Sequence, residues 1–113
     1  MKFSESLKRS QDFRKVYAEG RSYANRYLVM YMIKNHTDRN RLGISVSKKV
    51  GNSVVRHRIT RLIRESYRVK EELFNSGLDM VVVARKSAKD KTCQEIESAL
   101  LHLGKLHGIV KLK

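Results

Sequence analysis

The amino-acid sequence predicts a single α+β domain with the element order α-β-β-α-β-α around a central sheet. Its 113 residues are a length that suits one domain. Hydrophobic residues make up 41% of the chain, which is enough for a packed core. Helical and strand-like periodicities alternate with no internal repeat, linker or low-complexity segment between them, so we expect the domain to span residues 1–113.

The first half of the chain predicts one short helix followed by two strands. Ser10 is a candidate N-cap for the helix, and Gly20 is a natural place for it to end. Residues 23–34 are rich in aromatic and branched side chains, which indicates a strand. Alternating apolar residues return over 42–46 and predict a second strand. A hairpin is the simplest connection between these two strands.

The second half predicts a helix, a strand and a final helix. Asn52 or Ser53 can cap the second helix. Residues 80–84 are a short, wholly apolar run of the kind that forms a buried strand. Thr92 and Glu95 have the spacing of a capping box, which predicts the beginning of the last helix.

The basic residues are numerous and unevenly distributed. The chain has 25 Lys and Arg against 11 Asp and Glu, a net charge of +14. Residues 48–70 contain eight of the basic residues and one acidic residue, whereas residues 71–113 are nearly neutral. This clustering predicts a polyanionic partner, and we favour a nucleic acid over a membrane surface or an acidic protein.

The second helix is predicted to separate its apolar and cationic residues. At 100° per residue, one side collects Val55, Ile59, Leu62, Ile63, Ser66 and Val69. His57, Arg61, Arg64 and Arg68 gather on the opposite side, with Arg56 and Arg58 on its flanks. Guanidinium groups bind phosphate oxygens bidentately, and one acid cannot neutralise so many cations. We therefore predict nucleic-acid binding by the following residues, here called the basic patch: Lys48, Lys49, Arg56, His57, Arg58, Arg61, Arg64 and Arg68.

Three aromatic residues form a second candidate site. Phe13, Tyr17 and Tyr31 can meet where the first helix crosses the sheet, and such rings stack on unpaired bases. Aromatic residues four positions apart on a short helix more often fill a core, however. Spacing alone favours the core interpretation for these rings.

The sequence shows no pattern of a protein catalytic centre or metal site. The single cysteine, Cys93, excludes an internal disulfide and a cysteine-based zinc site, and it suits a reducing cytoplasm. The four histidines lack metal-binding spacings, and the carboxylates are scattered singly. No apolar run approaches the roughly 18 residues of a membrane span, and the N-terminus lacks the apolar core of a signal peptide. We expect no catalytic residue, metal or cofactor in the protein itself, no membrane partner and no obligate homo-oligomer.

Residues 48–65, KKVGNSVVRHRITRLIRE, closely resemble the arginine-rich signature of the protein subunit of bacterial ribonuclease P. The resemblance continues in the same order over residues 11–31, 41–58 and 79–90, so that it covers about three-quarters of the chain. It implies a subunit of an endonuclease that removes the 5′ leader from precursor tRNA to generate the mature 5′ end. In that enzyme an RNA subunit carries the catalysis with bound magnesium ions.

The resemblance also assigns expected roles to residues. It implies that Phe13, Tyr17 and Tyr31 line a cleft for the leader, which reverses the core interpretation. It also implies that six residues of the basic patch bind the RNA subunit: Lys48, Lys49, Arg56, Arg58, Arg61 and Arg64. His57 stands where the family usually has asparagine, and Thr60 where it often has lysine, so the contacts at those two positions do not carry over. The family fold implies a left-handed β-α-β crossover, whereas the general rule predicts a right-handed one in about 98% of cases. The alternative functions are an RNA-binding or ribosome-associated protein with no part in cleavage and, less favoured, a basic module that docks on acidic proteins or lipid.

Overall fold

A computed structural model describes residues 4–111 and confirms a mixed α+β fold with the predicted helices and strands in the predicted order. Two short strands are added that the sequence did not predict. The elements are β1 Ser4–Ser6, α1 Ser10–Glu19, β2 Arg21–Ala24, β3 Leu28–Lys34, β4 Asn40–Ser45, α2 Ser53–Lys70, β5 Leu78–Ala84 and α3 Cys93–His107. One-turn 3-10 helices follow α2 at Glu71–Leu73 and β5 at Lys86–Ala88.

The segment predicted as one strand over residues 23–34 forms two antiparallel strands, β2 and β3. Asn25 makes the turn between them, since its side-chain oxygen accepts hydrogen bonds from the amides of Tyr27 at 3.2 Å and Leu28 at 3.0 Å. An asparagine that bonds its own backbone in this way is a strong turn residue. A hairpin therefore lies inside the segment whose composition indicates a continuous strand.

The predicted hairpin between β3 and β4 is wrong. The sheet order is β1-β4-β5-β3-β2, so β5 lies between these two strands. It pairs in parallel with β4 and antiparallel with β3. β5 is apolar on both faces except at Asp79, and a strand of that kind is most stable in the middle of a sheet covered on both sides.

The connection from β4 through α2 to β5 is left-handed, as its backbone hydrogen bonds establish. The Leu42 side chain in β4 packs toward α2 and α3, and its carbonyl accepts a hydrogen bond from Leu7, next to β1. Consider a strand that runs upward, viewed from the side toward which the side chain of a given L-residue points. The carbonyl of that residue then points to the right. β1 therefore lies to the right of β4 and β5 to the left. Helix α2 lies on the viewer's side, so the chain passes in front of the sheet from β4 on the right to β5 on the left. A crossover of this kind is left-handed, which is the rare hand that the resemblance implies.

The two faces of the sheet are covered unequally. Helices α2 and α3 cover one face and enclose the main core, which includes Ile59, Ile63 and Leu100. Of the described part of the chain, α1 is the one helix on the other face, over a small cluster of Leu7, Val16 and Val81. The main core therefore fixes the position of α2, and the opposite face of the sheet stays partly open.

The apolar side of α2 differs from the prediction at its C-terminal end. Tyr67 is fully buried there, whereas Val69 is exposed. The Tyr67 hydroxyl lies 2.7 Å from the Ser4 hydroxyl and accepts a hydrogen bond from Asn40 at 3.2 Å. Burial raises the pKa of this phenol, although both hydrogen bonds oppose the shift. Ser4 and Asn40 satisfy the Tyr67 hydroxyl, so this side chain can be buried in the core. Helical spacing within α2 does not reveal these two partners.

The predicted helix boundaries are mostly confirmed. Asn52 caps α2 by accepting from the Val55 amide at 3.0 Å, and Thr92 with Glu95 forms the capping box of α3. Helix α1 ends at Gly20 as predicted, but its N-cap is Arg9, and Ser10 is its first helical residue.

Candidate nucleic-acid interface

The rotation of α2 about its axis is fixed by its buried side. Ile59 and Ile63 have no solvent exposure, and burying side chains of this size stabilises a protein by about 1.5–3 kcal/mol each. The opposite side of the helix therefore points into solvent. The structure brings the members of the basic patch together along this side and along the loop before it: Lys48, Lys49, His57, Arg58, Arg61, Arg64 and Arg68 are exposed, and Arg56 is half-buried.

Two arginines of the basic patch already have partners within the protein. Arg68 forms a double hydrogen bond with the Glu65 carboxylate at 2.6 and 2.9 Å, which holds the Glu65 pKa below its usual value. Arg58 donates to the carbonyl of Lys89, before α3. These contacts orient both side chains, and the Arg68 charge is partly compensated before any ligand binds.

The other cations of the patch are not compensated by carboxylates. Within residues 4–111, no salt bridge joins Lys48, Lys49, Arg56, Arg61 or Arg64 to an acidic residue. Their mutual repulsion disfavours the folded protein, and a bound polyanion relieves it. Thr60 has a neutral side chain and adds no charge here, and its hydroxyl donates to the Arg56 carbonyl at 2.9 Å.

Phe13, Tyr17 and Tyr31 meet on the sheet face that carries α1. The Phe13 and Tyr17 ring centroids are 6.4 Å apart, and the Tyr17 and Tyr31 rings make an edge-to-face contact at 4.9 Å. Phe13 and Tyr31 are half-buried against the small core, whereas Tyr17 is 39% exposed. This aromatic cluster therefore fills part of the core and also presents ring surface to solvent.

Close approach of α1 to the sheet allows this arrangement. A Cβ atom on Gly43 would lie 2.6 Å from Cζ of Phe13, so only glycine lets the ring lie on β4 without displacement. Arg41 lies beneath the helix and bonds Asp79 at 2.6 and 2.9 Å and Asp12 at 3.4 Å. This positioning contact was not predicted from the sequence, although one aspartate beside a wholly apolar run is a signal for it.

The carboxylate of Asp79 is buried but ionised. Burial raises its pKa, and the hydrogen bonds from Arg41 and Asn35 outweigh that effect, so that the pKa lies below its usual value. The charged form therefore contributes to holding α1 against the sheet.

The aromatic cluster and the basic patch lie on opposite faces of the sheet. Val29 and Val83 are paired, half-buried neighbours beyond the cluster on the open face. Lys48 and Lys49 follow the carboxyl end of β4 and lead into α2.

No group of three or more His, Cys, Asp or Glu residues with metal-binding geometry occurs among residues 4–111. In the same part of the chain, no helix is long and apolar enough to cross a membrane.

A small, strongly basic α+β protein with an exposed arginine-rich helix and a partly open aromatic cluster has the features of a nucleic-acid-binding protein. Comparison with known proteins identifies which kind of nucleic-acid-binding protein it is. The family model described as ribonuclease P matches residues 1–107, and the chain belongs to this family.

Individual relatives agree with this assignment. The ribonuclease P protein component of Lachnoclostridium phytofermentans is 66% identical over 107 residues, which cover 95% of this chain and 92% of the relative. That of Alkaliphilus metalliredigens is 52% identical over 103 residues, covering 91% and 93%.

Solved structures share the fold. The RNase P protein of Staphylococcus aureus superposes with a TM-score of 0.87 at 40% identity, covering 96% of this chain and 99% of that one. The RNase P protein of Thermotoga maritima gives a TM-score of 0.81 at 33% identity, covering 88% and 94%.

Proposed function

We propose that this protein is the protein subunit of a cytoplasmic ribonuclease P ribonucleoprotein. In this proposal it binds the catalytic RNA subunit through the basic patch and the 5′ leader of precursor tRNA across the aromatic cluster. Two observations carry the proposal on the scaffold of this family. One is a partly exposed ring cluster, and the other is a set of patch cations that form no salt bridge within residues 4–111: Lys48, Lys49, Arg56, Arg61 and Arg64.

The basic patch supplies the electrostatic part of the function. Each lysine or arginine that contacts a phosphate releases condensed counterions, so binding is strong at low salt and weakens as salt rises. Protein cations that neutralise phosphates also reduce the number of magnesium ions needed to fold and assemble the RNA. We therefore expect the protein to stimulate cleavage most at low magnesium concentration.

The aromatic cluster supplies the recognition of unpaired nucleotides. Tyr17 offers ring surface at the entrance, while Phe13 and Tyr31 are anchored in the small core behind it. Stacking of a base on such a ring contributes about 1–3 kcal/mol and depends little on sequence. This chemistry suits a leader whose sequence varies from one precursor to another.

Catalysis is assigned to the RNA subunit and its magnesium ions. The protein positions the substrate and the RNA, and none of its residues takes part in the bond-breaking step.

The proposal is tested by cleavage of a precursor tRNA by the cognate RNA subunit at low magnesium, with and without the protein. We expect stimulation that diminishes as magnesium is raised. No stimulation at any magnesium concentration would favour the alternative, an RNA-binding protein with no part in cleavage.

A further inference from the structure

A pocket outside the interface described above lies between the β2–β3 turn and the first three turns of α3. Its volume is about 400 Å³, within the roughly 300–1,000 Å³ of small-ligand sites. None of the residues that line this α3 pocket belongs to the basic patch or to the aromatic cluster. They are Tyr27, Gln94, Glu95, Ser98, Ala99 and His102.

The two walls of the α3 pocket are joined before any ligand binds. The Asn25 side-chain amide donates to the Ala99 carbonyl at 2.8 Å and to Nδ1 of His102 at 3.2 Å. The Tyr27 hydroxyl lies 3.5 Å from Oε2 of Glu95. Because Nδ1 of His102 accepts a hydrogen bond, its neutral imidazole carries the proton on Nε2 and can donate there.

The chemistry of the α3 pocket differs from that of the basic patch. No lysine or arginine is among the described residues that line it, and it contains one carboxylate. Oε1 of Glu95 accepts from the amide and the hydroxyl of Thr92, both at 3.1 Å. These bonds hold the Glu95 pKa below its usual value, so the group is ionised at neutral pH. Oε2 can still accept further hydrogen bonds, and the pocket therefore suits a planar, uncharged ligand with N–H donors.

The surroundings of the α3 pocket are basic and continuous with the basic patch. Arg58 of the patch donates to the Lys89 carbonyl. Two residues later, Nζ of Lys91 lies 5.3 Å from the centroid of the Tyr27 ring. A nucleic acid on α2 can therefore place a base in the pocket and its phosphate near Lys91. The net charge of +14 attracts such a strand and repels the small cation that a carboxylate alone would suit.

We propose that the α3 pocket binds an unpaired purine base of RNA, with the base against the Tyr27 ring and its Watson–Crick edge toward Glu95. Unpaired bases are commonly bound in this way, by an aromatic ring and by hydrogen bonds to the base edge. Guanine fits better than adenine, because its N1–H and N2–H groups lie side by side and can both donate to one carboxylate, whereas adenine offers one amino group on that edge.

The affinity for a base does not depend on the proposed function, whereas the assignment to RNA rests on it. Two RNAs supply the same chemical group: the RNA subunit and the precursor tRNA.

The first test uses the free protein in a sulfate buffer with guanosine and adenosine as probes. These nucleosides carry no phosphate, so they do not compete for the basic patch. NMR chemical shifts of the Ser98 and His102 amides report binding in the α3 pocket. We expect saturable shifts, with guanosine bound at least about fivefold more tightly than adenosine. No saturable shift with either nucleoside would overturn the proposal.

Substitution of Tyr27 tests the stacking contact. Tyr27→Leu should weaken guanosine binding roughly 5- to 150-fold, whereas Tyr27→Phe keeps the ring and should bind like the wild type. Tyr23→Leu is the matched control, because Tyr23 is a partly exposed tyrosine that contacts His107 outside the pocket. Unchanged affinity in a folded Tyr27→Leu variant would contradict the stacking contact.

Substitution of Glu95 tests the base edge, and it remains decisive if Tyr27→Leu does not fold. Glutamine serves as well as glutamate at this position of a capping box, so Glu95→Gln should keep α3 intact. It removes the charge that accepts both guanine donors, and the preference for guanosine should largely disappear. A preference as large as that of the wild type would contradict the proposed orientation.

The second test identifies the RNA that supplies the base. Affinity of Tyr27→Leu and Tyr23→Leu is measured for the RNA subunit, and each assembled enzyme is then tested with leader-bearing precursor tRNA and with mature tRNA. A several-fold loss for Tyr27→Leu in assembly assigns the base to the RNA subunit. A loss confined to the tRNA measurements assigns it to the substrate, and to the leader if mature tRNA is unaffected.

Equal affinities of Tyr27→Leu and Tyr23→Leu in every RNA measurement would contradict the assignment to these RNAs. Failure of the proposed function is distinguishable, because there the wild-type protein would not stimulate cleavage. The nucleoside measurements would still decide whether the α3 pocket binds a purine.

Discussion

The two faces of the sheet carry similar apolar side chains but are covered to different extents. Among residues 4–111, the face under α2 and α3 encloses a cluster of 18 buried residues, whereas the face under α1 encloses three. On the first face, Tyr67 is completely buried. On the second, Tyr17 keeps 39% of its surface exposed. The main core therefore supplies most of the stability, and incomplete cover on the other face leaves ring surface for a ligand.

The largest effect is expected from a cavity in the main core. Ile63→Ala removes a fully buried side chain of α2 and should lower the free energy of unfolding by about 2–5 kcal/mol. Urea denaturation followed by circular dichroism measures this loss. Val54→Ala is the control on the same helix, since Val54 is 76% exposed and its truncation should change stability by less than about 0.5 kcal/mol. Equal effects would show that α2 is not held by the main core.

The face under α1 is expected to depend on one buried carboxylate. Asp79→Asn weakens its hydrogen bonds with Arg41 and Asn35 and should cost about 1–3 kcal/mol of stability at neutral pH. Because the pKa of Asp79 is lower in the folded protein, its contribution is complete above about pH 4, the pKa range of unfolded aspartate. It is lost as the pH falls through the folded-state pKa.

Denaturation of the wild type and Asp79→Asn from pH 7 to pH 3 tests this dependence. The difference between their unfolding free energies should stay constant at neutral pH and shrink in acid. Asp90→Asn, at an exposed position, serves as the control. A constant difference down to pH 3 would contradict an ionised, stabilising Asp79.

Tyr17 is expected to matter for binding more than for stability. Tyr17→Ala removes a stacking surface worth about 1–3 kcal/mol, or roughly 5- to 150-fold in affinity for leader-bearing precursor tRNA. Affinity for mature tRNA should not change. Tyr23→Ala is a closely matched control, because Tyr23 is 37% exposed and makes an edge-to-face contact with His107 at 4.7 Å near α3. If both variants fold and bind both RNAs like the wild type, the cluster is part of the core only.

The smallest difference is expected between two arginines one turn apart on α2. Arg64→Ala removes an uncompensated cation and should lower the salt slope of log affinity for the RNA subunit by about one. Arg68→Ala should lower it less, because Glu65 already pairs with Arg68. Thermal stability should change little in either variant, since both side chains are exposed and a surface ion pair contributes at most about 1 kcal/mol. Identical salt slopes would indicate that the Glu65 pair opens when RNA binds.

Local signals in the sequence determined much of this structure. The caps at Asn52 and Thr92 and the end of α1 at Gly20 depend on side chains or turns within a few residues, so they are visible in the sequence. The exposure of the arginines on α2 follows from helical spacing and from the cost of burying a charge. The arginine-rich segment also carries the resemblance to the family, which the comparisons confirm.

Only the tertiary structure decided the features that depend on residues far apart in the chain. The place of β5 between β3 and β4, the burial of Tyr67 against Ser4 and Asn40, and the pairing of Arg41 with Asp79 each join distant segments. The same is true of the aromatic cluster, where residues 13 and 17 meet residue 31 only because Gly43 allows α1 to approach the sheet. Local spacing records which side of an element is apolar. Packing over the whole chain sets which element covers that side and how completely it does so. The extent of this cover decides whether an aromatic ring belongs to the core or to a binding surface.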